Sequence, residues 1–241
     1  AVYVLSVRSF ADRIAHVRQE MAKHGIAFEF IFEHDADALT ENELRGFGPS
    51  DLRRAHQSLV LKHMAVWRRM VEKGLARSLV FEDDVLLDRN FGQAFARAMA
   101  EADALPAGWS LYLGRGDNFH VGRRASAAAL IPGAALPAAD ALVCDLEAAR
   151  RRLAYLDQHP ITRPADWLIR ETDAAIGVAH WWLAQPITEQ GSMNDLFASV
   201  LDDKRRARGR LYAWLRYRWD KCWRGLRYAR YGRARSGQSR S

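Results

Sequence analysis

The chain has 241 residues, 49% hydrophobic and 27% charged, enough for one sizeable α/β domain or a domain with an appendage. No window nears the roughly 18 to 20 uninterrupted apolar residues of a membrane span. The first five residues are too short to read as a signal peptide, and Cys144 and Cys222 show no metal-ligand spacing, so a reducing cytoplasm is the expected setting. The net charge of +7 divides unevenly. Residues 204 to 241 hold 14 Lys and Arg against one acid, Asp220, for +13, which leaves 22 basic residues against 28 acids, −6, in the first 203. An acidic body with a basic tail points to an anionic partner for the tail alone.

In chain order, Val2 to Leu5 predicts a short strand, followed by a turn with Ser6, Arg8 and Ser9. Ser9 is placed to cap a helix on which Phe10, Ile14, Val17 and Met21 recur at helical spacing until His24 and Gly25 end the pattern. Phe28 to Phe32 predicts a second strand, ending in the polar knot Glu33 to Asp37. Strand, helix, strand with charges at the strand ends is the opening of a parallel, nucleotide-binding type of sheet. Residues 38 to 56 predict a loop with short helical pieces, and Gln57 to Lys73 a strong helix. On that helix His63 shares the inward face with Leu59, Val66 and Met70. Two readings of His63 stay open, a hydrogen-bonded core histidine and a group at a nucleotide pocket. Trp67 reads as core.

After a break at Gly74, the apolar run Leu79 to Phe81 predicts a buried strand that stops in three acids, Glu82, Asp83 and Asp84. Burying even one ionised carboxylate alone costs several kcal/mol, so an exposed strand end with solvent, basic partners or a metal is expected. A hard divalent cation sharing phosphate oxygens with a substrate would satisfy such a cluster, since Mg2+ and Mn2+ are commonly held by one or two carboxylates plus phosphate. In an open α/β sheet, ligands sit at the carboxyl ends of the strands. A solvated acidic turn is the plain alternative.

Phe91, Phe95, Ala98 and Met99 then mark a helix, and Trp109 to Leu113 a strand stopping at Gly114. Residues 121 to 139 read as a surface or rim loop, Ala141 to Cys144 as a strand, and Asp145 to Tyr155 as a helix whose Arg150, Arg151 and Arg152 form a solvated face. A loop from His159 leads through Pro164 to Asp166, which opens a short helix, and Ile176 to Leu183 reads as a late strand before Pro186 to Gln190.

The helix Leu61 to Trp67, the Gly74 break and the stretch Leu79 to Leu86 together resemble the signature of the bacterial lipooligosaccharide glycosyltransferases, family 25. The similarity continues in the opening Val-Leu-Ser strand with Arg13, in Phe32 to Asp37, in Tyr112 to Gly114, and in the late segments containing Pro160, Asp166, Pro186, Gln190 and Ser192. Lys62 departs from the family, which usually carries serine before the histidine, and residues 115 to 140 have no clear counterpart. The resemblance implies an α/β fold of GT-A type, a Rossmann-like mixed sheet flanked by helices, over residues 1 to 203. It also implies inverting transfer from a UDP-sugar, often UDP-galactose, to a lipid-linked oligosaccharide of the lipopolysaccharide core.

On the same resemblance, Glu82 and Asp84 are the expected ligands of Mn2+ or Mg2+, with Asp84 ranked first. Ser6, Arg8, Arg13, Asp35, His63, Asp83 and Gln190 are the expected donor contacts. An inverting transfer needs a base for the acceptor hydroxyl, and Asp166 is the candidate, with Asp173, Asp117 and Glu189 as alternatives and a helix N-cap as its plain reading. The competing classes are a basic-tailed membrane or nucleic-acid binding module and another metal-dependent nucleotide transferase. An acidic body disfavours nucleic acid, and no P-loop pattern is present.

On a helix, Leu211, Leu215, Trp219, Cys222 and Leu226 of the tail form an apolar stripe flanked by Tyr212, Trp214 and Trp223, interrupted by Arg218 and weakened by Gly225. Basic residues around a Trp-rich face suit an anionic membrane interface, at about 1 kcal/mol per Lys or Arg near the surface. Peripheral attachment to the inner face of a bacterial inner membrane is therefore expected, against packing of the tail on its own domain. Deletion of residues 204 to 241 should abolish sedimentation with anionic liposomes and leave donor hydrolysis largely intact. Failure of the intact chain to bind such vesicles at low salt rejects the membrane assignment.

Overall fold

A computed structural model describes residues 1–114, 129–133 and 138–190. The tail from 204 onward, Asp117 and Ser192 lie outside these residues, as do the expectations placed on them.

The described chain forms a mixed seven-stranded sheet flanked by helices. Its elements run β1 (Val2–Leu5), α1 (Ala11–Lys23), β2 (Glu29–Ile31), α2 (Arg54–Lys73), β3 (Arg77–Glu82), β4 (Val85–Leu87), α3 (Phe91–Ala102), β5 (Trp109–Tyr112), β6 (Leu130–Gly133), β7 (Ala141–Asp145), α4 (Leu146–Leu156), α5 (Ala165–Ile176), β8 (Ala179–Leu183) and β9 (Thr188–Gln190). The large sheet has the order β2-β1-β3-β7-β5-β8-β6, and β4 pairs with β9 in a separate ribbon. The opening half is parallel, as the strand–helix–strand pattern predicts. The sheet as a whole is not, because β7 runs antiparallel between β3 and β5.

Strand alternation divides the core. Tyr3, Leu5, Val80, Tyr112, Leu142 and Trp182 join residues of α2, α4 and α5 on one face. Val4, Leu79, Phe81, Leu111, Leu113 and Val143 join residues of α1 and α3 on the other. With helices on both faces, strands such as β7 are buried at every position and read as continuous apolar runs. Gly74 ends α2 in the left-handed region at φ 61°, a conformation glycine adopts without steric cost.

Several local expectations are corrected. Helix α1 begins at Ala11 with Phe10 in the cap position and no side-chain cap, so Ser9 does not cap it. Helix α2 begins at Arg54, three residues earlier than its apolar stripe suggests. Within the stretch expected to be a loop lies β6, at the sheet edge, where Pro132 is tolerated because an edge strand need not donate at every position. Ile176 belongs to α5 rather than to a strand.

The largest correction is Arg152, which is not on a solvated face but fully buried. Its guanidinium donates to Asp173 at 2.6 and 2.7 Å and to Ser110 Oγ at 2.5 Å, and it lies over the Trp67 ring. Nearby, His180 Nε2 is 3.1 Å from Asp173, and Tyr112 stacks on both His180 and Trp182. Burial alone would raise the Asp173 pKa, but Arg152 outweighs it and holds the carboxyl below its ordinary range. Such a pair adds little net stability, yet removing one partner is costly.

His63 faces this same buried region, only 1% exposed, and neither of its ring nitrogens finds a hydrogen-bond partner among the described residues. Burial, and then the nearby Arg152 charge, push its pKa down to about 3. The folded chain therefore keeps His63 neutral while the unfolded chain takes up a proton below its ordinary pKa of 6.5. The resulting stability is complete above pH 6.5 and is lost as the pH falls toward 3. Urea unfolding at pH 7.5 and pH 5.0 should show the His63→Leu variant losing about 2 kcal/mol less than the parent over that interval. Equal losses in the two proteins would refute this role.

Candidate functional site

The carboxyl ends of β1, β2, β3, β5 and β8 lie at one edge of the large sheet, where the antiparallel strand β7 begins. Each polar residue that follows one of these strands is therefore delivered to the same edge.

From β1, Ser6 donates its hydroxyl to Asp83 Oδ2 at 2.8 Å, and Arg13, on the first turns of α1, pairs with Asp83 Oδ1 at 2.5 Å. From β2, Asp35 accepts from the backbone N–H of Arg8 at 3.0 Å and from Lys62 Nζ at 2.7 Å. Lys62 also donates to the carbonyls of Ile31 and Glu33, so this buried ammonium satisfies three acceptors at the end of β2. Burial lowers its pKa and Asp35 pulls in the opposite direction. The departure at position 62 is thus a structural anchor for the strand end. The Arg8 guanidinium lies over the Phe32 ring. His34 sits at φ 64°, rare for a side-chain-bearing residue, and is tied to Glu43.

The three acids that close β3 and follow it do not stand at an exposed strand end. Asp83 is 6% and Asp84 3% exposed, and Glu82 is part-buried. Alternation sends Glu82 toward the α2 and α5 face and Asp83 toward α1, where Arg13 meets it. Burial pushes the Asp83 carboxyl up, opposed by Arg13 and Ser6. Glu82 is pushed well above its ordinary range by burial, then by Asp84, Asp140, Asp83 and Asp166.

Asp140 was not among the expected site residues. It precedes β7, directly across from the end of β3, and its carbonyl accepts from the Glu82 N–H at 2.9 Å. Burial and Asp84 raise its pKa to about 6. No sequence pattern marks it, because its position depends on an antiparallel pairing between segments some sixty residues apart. Gly114 and Thr188, bridged to each other beside Asp140, were missed for the same reason.

Asp166 lies in the first turn of α5, but Pro164 holds the cap position, so Asp166 is not the N-cap. Its carboxylate accepts from the N–H of Trp167 and is close enough for its charge to act on Glu82 and on His56 at the start of α2. Gln190 pairs across from Val85, next to Asp84. Of the alternative bases, Asp173 is committed to Arg152 in the core, and Glu189 lies across from Leu86 in the small ribbon. His63 is withdrawn into the core beside Trp67 at a ring distance of 6.2 Å. Ser6, Arg8, Arg13, Asp35, Asp83 and Gln190 thus gather at the acid edge, and His63 does not.

Glu82, Asp84 and Asp140 offer hard oxygen atoms of the kind Mg2+ and Mn2+ take. Among the described residues no three His, Cys, Asp or Glu side chains are already arranged around one point as ligands. Among the described residues no helix is long and apolar enough to cross a membrane.

The family model described as "Glycosyltransferase family 25 (LPS biosynthesis protein)" matches residues 1–122. The human protein "Inactive glycosyltransferase 25 family member 3" is 29% identical over 127 residues, 47% of this chain and 21% of that protein. "Lacto-N-neotetraose biosynthesis glycosyltransferase LgtB" of Neisseria meningitidis is 32% identical over 109 residues, 41% of this chain and 36% of that protein. The chain thus spans about a fifth to a third of the length of the curated relatives it matches. A crystal structure of the galactosyltransferase LgtC with donor and acceptor sugar analogues aligns with a TM-score of 0.42 at 11% identity, covering 75% of this chain and 72% of that one.

Proposed function

Because the chain belongs to glycosyltransferase family 25, we propose that it transfers a sugar from a UDP-sugar, galactose as the leading choice, to a hydroxyl of a lipooligosaccharide or lipopolysaccharide core glycan. In this reading the mixed sheet is of GT-A type, the reaction depends on Mn2+ or Mg2+, and the configuration at the anomeric carbon inverts. The acceptor is met at the cytoplasmic leaflet, with residues 204 to 241 as the tether. The observation that carries the reading is the convergence of Glu82, Asp84 and Asp140 at the strand-end edge, with Asp83 locked beside them by Ser6 and Arg13.

Glu82 and Asp84 would hold the divalent ion, whose contribution is to neutralise charge on the UDP leaving group. Asp83 is oriented through both oxygens, and each retains a lone pair able to accept from a ribose hydroxyl. Arg8 and Asp35 lie at the same strand-end edge, with Asp35 held by Lys62 and by the Arg8 N–H. Asp166, on the α5 side, is the base that takes the proton from the attacking acceptor hydroxyl. The relatives include galactosyltransferases and proteins named inactive, so activity in this chain turns on these side chains and is open to direct test.

Incubation with a panel of UDP-sugars, with and without Mn2+, should reveal metal-dependent hydrolysis, and NMR of a transfer product should show the inverted anomer. Asp84→Asn preserves shape at a buried position, so the variant should fold while losing hydrolysis about a hundredfold or more. Wild-type rates in that variant would refute the assignment.

Asp166→Asn should bind UDP-sugar within about twofold of the parent and slow transfer to acceptor by about a hundredfold to ten-thousandfold, the usual contribution of a general base. A loss of nucleotide affinity instead would make Asp166 a donor contact.

A further inference from the structure

Gly114 follows β5 at the floor of the acid edge and bridges Thr188 at the start of β9. A methyl group added at Gly114 would stand 2.7 Å from Asp140 Oδ2 and 3.3 Å from Thr188 Oγ1. The two oxygens therefore face the same point beside the glycine α-carbon, no farther apart than the sum of those distances, about 6 Å. Glycine is the residue that fits at position 114, because a β-carbon there would crowd Asp140 Oδ2 and press on Thr188 Oγ1.

Thr188 is 1% exposed, and its hydroxyl is buried with no hydrogen-bond partner among the described residues. An unsatisfied buried hydroxyl is costly and calls for an explanation. The backbone at this point needs nothing from it. The N–H of Ile187 already donates to the Leu113 carbonyl at 3.0 Å, and Thr188 pairs with Leu87 across the ribbon. Valine would fill the same space without the penalty.

The chemistry of the pair selects its ligand. Asp140 can only accept when ionised, while the Thr188 hydroxyl has a proton to give. A phosphate oxygen would be repelled by Asp140, and an ammonium group would leave the Thr188 proton unused. A sugar hydroxyl both donates and accepts, and O–H···O bonds of 2.5 to 3.0 Å on each side fit a gap of at most about 6 Å. Glu82 is immediately beside Asp140, so the group held here is next to the diphosphate position.

We propose that Asp140 and Thr188, whose oxygens both face Gly114, hold one hydroxyl of the sugar that is transferred. This rests on the donor reading above and makes position 188 a determinant of sugar binding rather than of nucleotide binding. The hydroxyl donates to Asp140 Oδ2 and accepts from Thr188 Oγ1, so the buried Thr188 hydroxyl gains its partner when the sugar is bound.

The test is calorimetric titration of the full chain with UDP, UDP-galactose, UDP-glucose and UDP-N-acetylglucosamine in the presence of Mn2+. Thr188→Val should weaken the best-bound UDP-sugar about tenfold while UDP affinity stays within about twofold, and Thr188→Ser should restore the parent value. The unfolding midpoint of Thr188→Val should not fall, since no group among the described residues uses the lost hydroxyl. Equal weakening of UDP and UDP-sugar, no weakening of either, or failure of serine to rescue would each overturn the assignment. If the parent chain binds neither UDP nor any UDP-sugar, the donor reading fails before any variant is compared, and this inference fails with it.

Discussion

The whole architecture answers to the cost of taking carboxylates out of water. Three of the buried acids are met by cations on other elements: Asp83 by Arg13, Asp35 by Lys62 and Asp173 by Arg152. Each pairing ties a strand end or helix to a helix or strand far away in sequence. Glu82 and Asp140 are treated differently, since burial and then neighbouring carboxylates push their pKa values up. Concentrating like charge at a partly buried strand-end edge costs stability, and functional sites are where such arrangements recur.

Strand β7 is what makes that concentration possible. In an all-parallel sheet the strand between β3 and β5 would bring its carboxyl end to this edge, and Asp145 with it. Because β7 runs the other way, Asp140 arrives at the edge. Asp145 goes to the opposite end, where it caps α4 and accepts from the N–H groups of Gly108 and Trp109. One reversal of direction thus gives one acid a structural task and the other a place beside Glu82.

The buried network of Arg152, Asp173, Ser110, His180 and Tyr112 lies on the α2, α4 and α5 face, just behind the site. Tyr112 connects the two regions. It stacks within this network, and β5 ends there, two residues before Gly114 faces Asp140. The position of Gly114 is therefore tied to packing around a buried ion pair. Chain entropy at the site is reduced in the same way at β2, where Lys62 holds the strand-end carbonyls together with Asp35.

Periodicity and punctuation alone were enough for most elements. The 3.6-residue spacing of α1 and α2, the Gly74 stop and the apolar run before Glu82, Asp83 and Asp84 all depend on local chemistry, so the sequence shows them directly. The pairing of Ser6, Arg13 and Asp83 follows from the same order of elements, since parallel strands bring their ends together. Only the tertiary structure decided the burial of Asp84, the retreat of His63 into the core, the conversion of Arg152 from a surface charge to a core one, and the arrival of Asp140, Gly114 and Thr188 at a common point. Each of these rests on contacts between segments tens of residues apart, whose direction and register are set by the sheet as a whole. A local pattern carries the period of a strand but not the direction in which its neighbour runs, and here that direction determines which acids meet.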